Sequence, residues 1–337
     1  MAISFTTDDL LSRIRLHCQL KTDNQKVTSA EILALCDEEI QTNLFPALMT
    51  VRDDYATTVV YQTFTAGVNA YRLPFEANSD TITDVELLSL SGQTPTNLRQ
   101  LRRVTIGELA PWVATTGNTP QVYAIVGGNL EIRPAPTSTT ATSYVLSIHY
   151  EARPSRLIEV SSCRNITAAT NPSGTTISLT IGTTIVGTGL VAGSAIDVVP
   201  TVPPMTPYFT NGVVISIAAD PVITVTPLAV PAAVAGKYAA DIQASGGYLC
   251  PRGSTCVFPM PEAWWPVLIY AGSSAVCAAI GDDTAAVKFA AIAEQKKAAV
   301  TGMQQNRVRK QPLPAFNTGS PLRIGRRNAN FYGSSEP

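Results

Sequence analysis

The sequence predicts an α+β fold: a four-helix bundle of two N-terminal and two C-terminal helices, with β-hairpins, an inserted all-β domain of barrel or sandwich type, and an extended C-terminal arm. Three observations carry this expectation. Apolar residues recur at helical spacing near both ends of the chain, they recur at period two in between, and Pro312, Pro314 and Pro321 punctuate the closing stretch. The implied boundaries are 1–156 for the N-terminal helices and β-region, 157–245 for the insertion, 246–306 for the C-terminal helices and 307–337 for the arm.

The first helix is expected after Thr7. Asp8 and Asp9 fall in its first turn, where carboxylates meet the positive end of the dipole, and Leu10, Leu11, Ile14 and Cys18 follow at helical spacing. Thr28-Ser29-Ala30-Glu31 is a capping box opening a second helix through Ile32, Leu33, Cys36, Ile40, Leu44, Leu48 and Val51. Pro46 predicts a kink in it, because proline lacks the N–H and crowds the preceding turn.

From Tyr55 the period becomes two. Residues 57–64 and 69–73 read as a hairpin around Ala66-Gly67, 82–90 as a strand followed by a turn at 91–95, and 105–112 as a short helix ended by Pro111. Gly127-Gly128 between 122–126 and 129–133 is a strong hairpin signal. Residues 144–151 alternate, with Tyr144, Leu146, Ile148 and Tyr150 on one face.

The stretch 157–245 is different in kind. Between Val160 and Cys250 the only charges are Arg164, Asp197, Asp220, Lys237 and Asp241, and strands at 176–181, 213–217 and 222–225 lie between turn clusters. Short strands so spaced predict a small barrel or sandwich inserted into the parent fold. Helices resume at 262–280, with Trp264, Leu268, Ala271 and Ala275 along one side, break at Gly281-Asp282-Asp283, and continue as an Ala-rich helix over 284–305.

Apolar residues make up 45% of the chain and charged ones only 15%, against roughly 25% charged in an average soluble protein. So little charge fits a surface covered by partners in an oligomer, and equally a monomer with a Thr- and Ser-rich surface. The net charge of -1 provides no global field toward nucleic acid or membrane. The charge is uneven, however: from Lys296 onward eight basic residues face one acid, Glu336. The first residues lack a signal-peptide pattern, and the longest apolar stretch, 264–280, is short and interrupted by Pro266 and Gly272, so a cytoplasmically made protein with no membrane segment is expected.

The search for chemistry returns little. The only histidines are His17 and His149, and neither sits in a ligand or nucleophile motif. Cys18, Cys36 and Cys277 fall in apolar helical patterns as core side chains, while Cys250 and Cys256 have no local partner pair, so neither a disulfide framework nor a metal or other cofactor is expected. The glycines between Gly182 and Gly193 lack a phosphate-binding lysine and lie among strands. The acid pairs Asp8/Asp9, Asp53/Asp54 and Asp282/Asp283 coincide with helix ends. These readings point away from an enzyme. The basic tail reads as a docking arm whose Leu313, Phe316, Leu322 and Ile324 enter apolar pockets on a neighbour while Arg323, Arg326 and Arg327 pair with its carboxylates. Phosphate binding to nucleic acid and a plain disordered tail are the alternatives.

Several short patterns resemble the head–tail connector (adaptor) proteins of tailed bacteriophages. They are Phe64-Thr65-Ala66-Gly67-Val68-Asn69-Ala70-Tyr71-Arg72-Leu73-Pro74, Asp84-Val85-Glu86-Leu87-Leu88, Pro120 to Tyr123 with Leu130 to Pro136, Pro261-Glu262-Ala263-Trp264, Ala278-Ala279-Ile280-Gly281-Asp282 and Pro321-Leu322-Arg323. The resemblance implies a structural virion protein at the head–tail junction, assembled in the host cytoplasm as a homo-oligomeric ring of twelve subunits, without cofactor. Such a ring docks on the portal protein, extends the channel through which genomic DNA passes, and offers a platform to a tail tube or nozzle protein. The implied portal-docking residues are Arg307, Arg309, Lys310, Leu313, Phe316, Leu322, Arg323, Ile324, Arg326 and Arg327. The arm departs from the family pattern by continuing into Arg326-Arg327 and Asn330-Phe331-Tyr332-Gly333, and the insertion carries no matched motif. Competing readings are another tail, baseplate or fibre-attachment protein, a hydrolase with a dispersed site, and a nucleic-acid binder.

Overall fold

The computed structural model describes residues 5–20, 27–51, 57–73, 77–89, 98–113, 119–173, 175–182, 190–201, 209–219, 222–226 and 232–310. Helix α1 (Thr7–His17) is capped by Thr6, whose hydroxyl accepts the Asp9 N–H, and Asp8 and Asp9 occupy its first turn. Helix α2 (Ser29–Glu39) opens with the complete capping box: Thr28 accepts the Glu31 N–H at 3.2 Å and the Glu31 carboxylate accepts the Thr28 N–H at 2.7 Å. The irregularity expected at Pro46 takes the form of a π-turn, Ile40–Leu44, followed by α3 (Phe45–Met49). Widening the hydrogen-bond ladder accommodates a residue that has no N–H and whose ring crowds the turn before it.

The β-region comprises β1 (Thr57–Thr63), β2 (Ala70–Arg72), β3 (Ala77–Ser89), β4 (Leu98–Gln100), β5 (Arg102–Arg103), α4 (Ile106–Val113), β6 (Val122–Val126), β7 (Asn129–Arg133), α5 (Ser138–Ser143) and β8 (Tyr144–Ala152). Two four-stranded sheets result, in the orders β1-β8-β3-β4 and β2-β7-β6-β5. The expected pairing of 57–64 with 69–73 is therefore wrong. β1 pairs with β8 (Val60 opposite Ile148), and β2 pairs with β7 (Tyr71 opposite Leu130). The intervening turn is a corner: Gly67 takes φ +76°, its N–H donates to Pro136 O at 2.9 Å, and the Tyr71 hydroxyl donates to Val68 O at 3.0 Å. The chain thus leaves one sheet for the other, and Val60, Phe64, Tyr71, Leu130, Leu146 and Ile148 bury in one shared core. The β6–β7 hairpin forms as expected, with both Gly127 (φ +56°) and Gly128 (φ +81°) left-handed as a primed turn requires. α4 runs through Pro111, and the turn at 91–95 lies outside the described residues.

After β9 (Arg156–Leu157) come β10 (Arg164–Ser173), β11 (Thr176–Ile181), β12 (Ala195–Pro200), β13 (Phe209–Ala219), β14 (Val222–Thr226), α6 (Ala232–Ser245) and β15 (Gly247–Pro251). They form a closed barrel, β10-β11-β14-β13-β12-β15, filled by Ile177, Leu179, Ile196, Val198, Ile223 and Val225. Closure leaves no unpaired strand edge. Two expectations are corrected. The insertion is not all-β, because α6 lays Ala235, Ala239 and Ile242, spaced four and three apart, into the barrel's core. It also does not end at 245, because β15 supplies the closing strand between β10 and β12.

The chain returns through β16 (Ser254–Thr255), parallel to β9, to a short 3-10 turn (Glu262–Trp264), α7 (Trp265–Ile280) and α8 (Asp283–Lys310). Gly281 at φ +86° closes α7 in the left-handed cap, and the Asp282 carboxylate accepts the Ala285 N–H at 3.0 Å. α1, α2 and α8 all pack on α7. Glu262–Ile280 is long and apolar enough to cross a membrane, but 56% of it is buried inside the protein, with Trp264, Val267, Leu268 and Val276 in the core it shares with α1 and α2. α8 reaches Lys310, so Arg307, Arg309 and Lys310 belong to the helix and not to the arm expected from 307. No Gly or Pro occurs between Gln304 and Lys310, and Pro312 is the first residue that would stop a helix there.

Candidate assembly surface

α8 touches α7 along one narrow seam. Ala286, Ala293 and Val300, spaced by seven, are its buried residues, and Ser274 of α7 donates to Ala286 O at 2.8 Å. Small side chains at this period let the two helices approach closely. A second side reaches α1: the His17 ring stacks against Tyr270 and Phe289 at centroid distances of 5.0 and 5.5 Å, those two rings lie 6.2 Å apart, and Lys296 lies over Tyr270 at 5.2 Å.

Beyond these contacts one exposed stripe of α8 is largely apolar. Val287 is 71% exposed, and Val287, Ala291 and Ala298 fall on this stripe, interrupted by a single charge, Glu294, while Met303 stands on another side of the helix. A helix that is apolar beyond its packing seam is normally buried by something else. Three of the predicted partner-binding residues lie at the end of this helix. Arg307, Arg309 and Lys310 occupy its last turn, whereas Leu313, Phe316, Leu322, Arg323, Ile324, Arg326 and Arg327 lie outside the described residues.

Two constellations invisible in sequence spacing appear in the fold. The first joins His149, Ser147 and Glu86. Ser147 Oγ stands 3.2 Å and Glu86 Oε2 3.3 Å from the same atom, His149 Nε2. A nucleophile relay needs the acid on one ring nitrogen and the hydroxyl on the other. Here both partners compete for one, and the Ser147 side chain is buried in the central strand of its sheet, so the trio is structural.

The second is a buried thiol cluster. The register Arg164 opposite Leu249 brings Cys163 beside Cys250, with their sulfurs 2.7 Å apart, and the turn at Gly253 (φ +71°) returns Cys256 to within 4.0 Å of Cys250. All three sulfurs lie within 4.8 Å of one another, a spacing able to hold a metal ion. Hydrogen bonds from Cys163 and then Cys250 hold the Cys256 thiol well below its ordinary range, while the same contacts push Cys250 up.

A family model described as SU10 adaptor protein matches residues 5–174, half of the chain. The chain belongs to the SU10 adaptor protein family. The match starts just before α1, takes in both four-stranded sheets and ends at the β10–β11 turn, so the adaptor patterns between Phe64 and Pro136 fall within it. Those at 261–264, 278–282 and 321–323, and most of the barrel, fall beyond it. No curated protein matches the chain. As an SU10 adaptor the protein is a structural adaptor of the phage particle.

Proposed function

We propose that this adaptor forms the head–tail connector ring of its phage, twelve copies docked beneath the portal and extending the DNA channel toward a tail tube or nozzle protein. In this reading α1, α2, α7 and α8 act as a four-helix unit that packs laterally against the same unit of the next copy. The observation that carries the proposal is the exposed apolar stripe of α8, marked by Val287, Ala291 and Ala298, on a chain of this family. Burial of such a face is favourable by about 25 cal/mol per Å² of apolar surface, and a ring supplies the covering surface from a neighbour.

The segment after Lys310 serves as the arm that grips the portal. Arg323, Arg326 and Arg327 pair with portal carboxylates, while Leu313, Phe316, Leu322 and Ile324 anchor it in apolar pockets. Arg307, Arg309 and Lys310, which end α8, mark where the arm leaves the helical unit. The protein does its work without catalysis, by shape and attachment.

The test is the mass and symmetry of the species formed when the purified chain is mixed with its portal. A closed ring with one adaptor per portal subunit, seen by native mass spectrometry and electron microscopy, is expected. Attachment at a fibre or baseplate position, with no density at the portal, would overturn the proposal.

A further inference from the structure

The thiol cluster lies outside everything the adaptor reading uses. Cys163, Cys250 and Cys256 are 4%, 1% and 0% exposed. They converge from three places: the entrance to β10, the end of β15 and the bend just after β16. The Cys256 carbonyl accepts the Thr7 N–H at 2.9 Å, and the next residue, Val257, bridges to Thr6 at the head of α1. The cluster therefore sits at the joint where the inserted barrel meets the helical core.

Three buried thiols can be ordinary small apolar side chains. Two features argue otherwise. The sulfur separations, 2.7 Å and 4.0 Å with the third under 4.8 Å, bracket the ~3.8 Å edge that metal–sulfur bonds of about 2.3 Å impose on a tetrahedron. Beside them the half-buried Arg164 donates through Nη1 to Ser161 O at 2.8 Å and to Cys163 O at 3.1 Å, while its Nε is buried without a hydrogen-bond partner. A guanidinium beside the site favours negative charge there, and three thiolates around a divalent cation carry a net single negative charge.

We propose that Cys163, Cys250 and Cys256 form a thiolate site for a zinc-class ion that clamps the barrel to the helical core. The sulfurs supply three corners of a tetrahedron and a water the fourth, and soft thiolate ligands select ions of this class over hard ones such as magnesium or calcium. Binding releases the thiol protons to solvent and changes no oxidation state. The ion joins segments 87 residues apart in sequence, from Cys163 to Cys250, and so fixes the orientation of the barrel on the core.

The full chain, purified under reducing conditions and stripped of metal, is titrated with Co(II) as the spectroscopic probe, and zinc is measured by elemental analysis before stripping. The expected result is one ion per chain, with thiolate-to-cobalt charge-transfer absorption that zinc abolishes. Cys256→Ser should lose at least tenfold in affinity, and Cys18→Ser, outside the cluster, should bind as the parent does. Three accessible thiols from this cluster with no cobalt absorption in the parent chain would overturn the proposal. So would a Cys163–Cys250 disulfide found by unreduced peptide mapping of freshly purified protein. Because the parent chain gives the primary reading, a variant that fails to fold leaves the test intact.

Discussion

Gly272 of α7 lies so close to Cys36 of α2 that a methyl group added at Gly272 would stand 2.7 Å from the Cys36 sulfur and 2.9 Å from Ile14 Cδ1 of α1. This one position lets three helices meet, because only a residue without a Cβ permits the approach.

Gly272→Ala should therefore destabilise the helical core by about 1–3 kcal/mol, the usual cost of overpacking. Cys36→Ala combined with it should recover part of the loss by vacating the sulfur. Thermal or urea unfolding of the three variants measures the coupling. Additive losses would mean that the contact does not limit packing.

Asp37 predicts a pH dependence of opposite sign to the usual carboxylate. Burial raises its pKa from 3.8 to about 6, against the Leu157 N–H at 2.8 Å and the nearby Arg156, which favour the charged form. The folded protein thus holds a proton that the unfolded chain releases, so stability contributed below pH 3.8 is lost as pH rises through about 6. The loss attached to this group is of order 1–3 kcal/mol. Asp37→Asn should flatten unfolding free energy against pH across that window, and an unchanged slope would refute the assignment.

Asp197 is fully buried in β12 and accepts the Gly253 N–H at 2.6 Å, tying the β15–β16 turn to the barrel. Asp197→Ala should cost about 1–3 kcal/mol by leaving that amide unsatisfied. Amide hydrogen exchange should show the loss first in β12 and at Gly253.

On α8, Val287→Glu with Ala291→Glu should leave folding within about 0.5 kcal/mol, since both side chains are exposed in the isolated chain. The same pair should abolish ring formation by placing charge in an apolar interface. Sedimentation of the variant beside its parent separates the two effects.

The legible parts of this fold were those signalled locally. The Thr28–Glu31 capping box, the Gly127-Gly128 hairpin and the Gly281-Asp282 helix junction each lie within a few residues of chain and formed as their chemistry dictates. Partner choice among strands was not local. β1 and β2 look like a hairpin until the Gly67–Tyr71 corner sends them to different sheets. α6 escaped notice because its alanines sit in a Thr- and Val-rich stretch whose neighbours are all strands. The thiol cluster has no spacing signature, since Cys163 joins Cys250 only through barrel closure. The arm is legible only in its Pro, Arg and apolar residues, and beyond Lys310 it lies outside the described residues.

That arm is the centre of the functional account, and portal binding by a chain ending at Lys310 tests it most directly. The truncated protein keeps every described element and should unfold as the parent does, yet bind portal at least a hundredfold more weakly in a pull-down or interferometry titration. Portal affinity equal to that of the full chain would contradict the account.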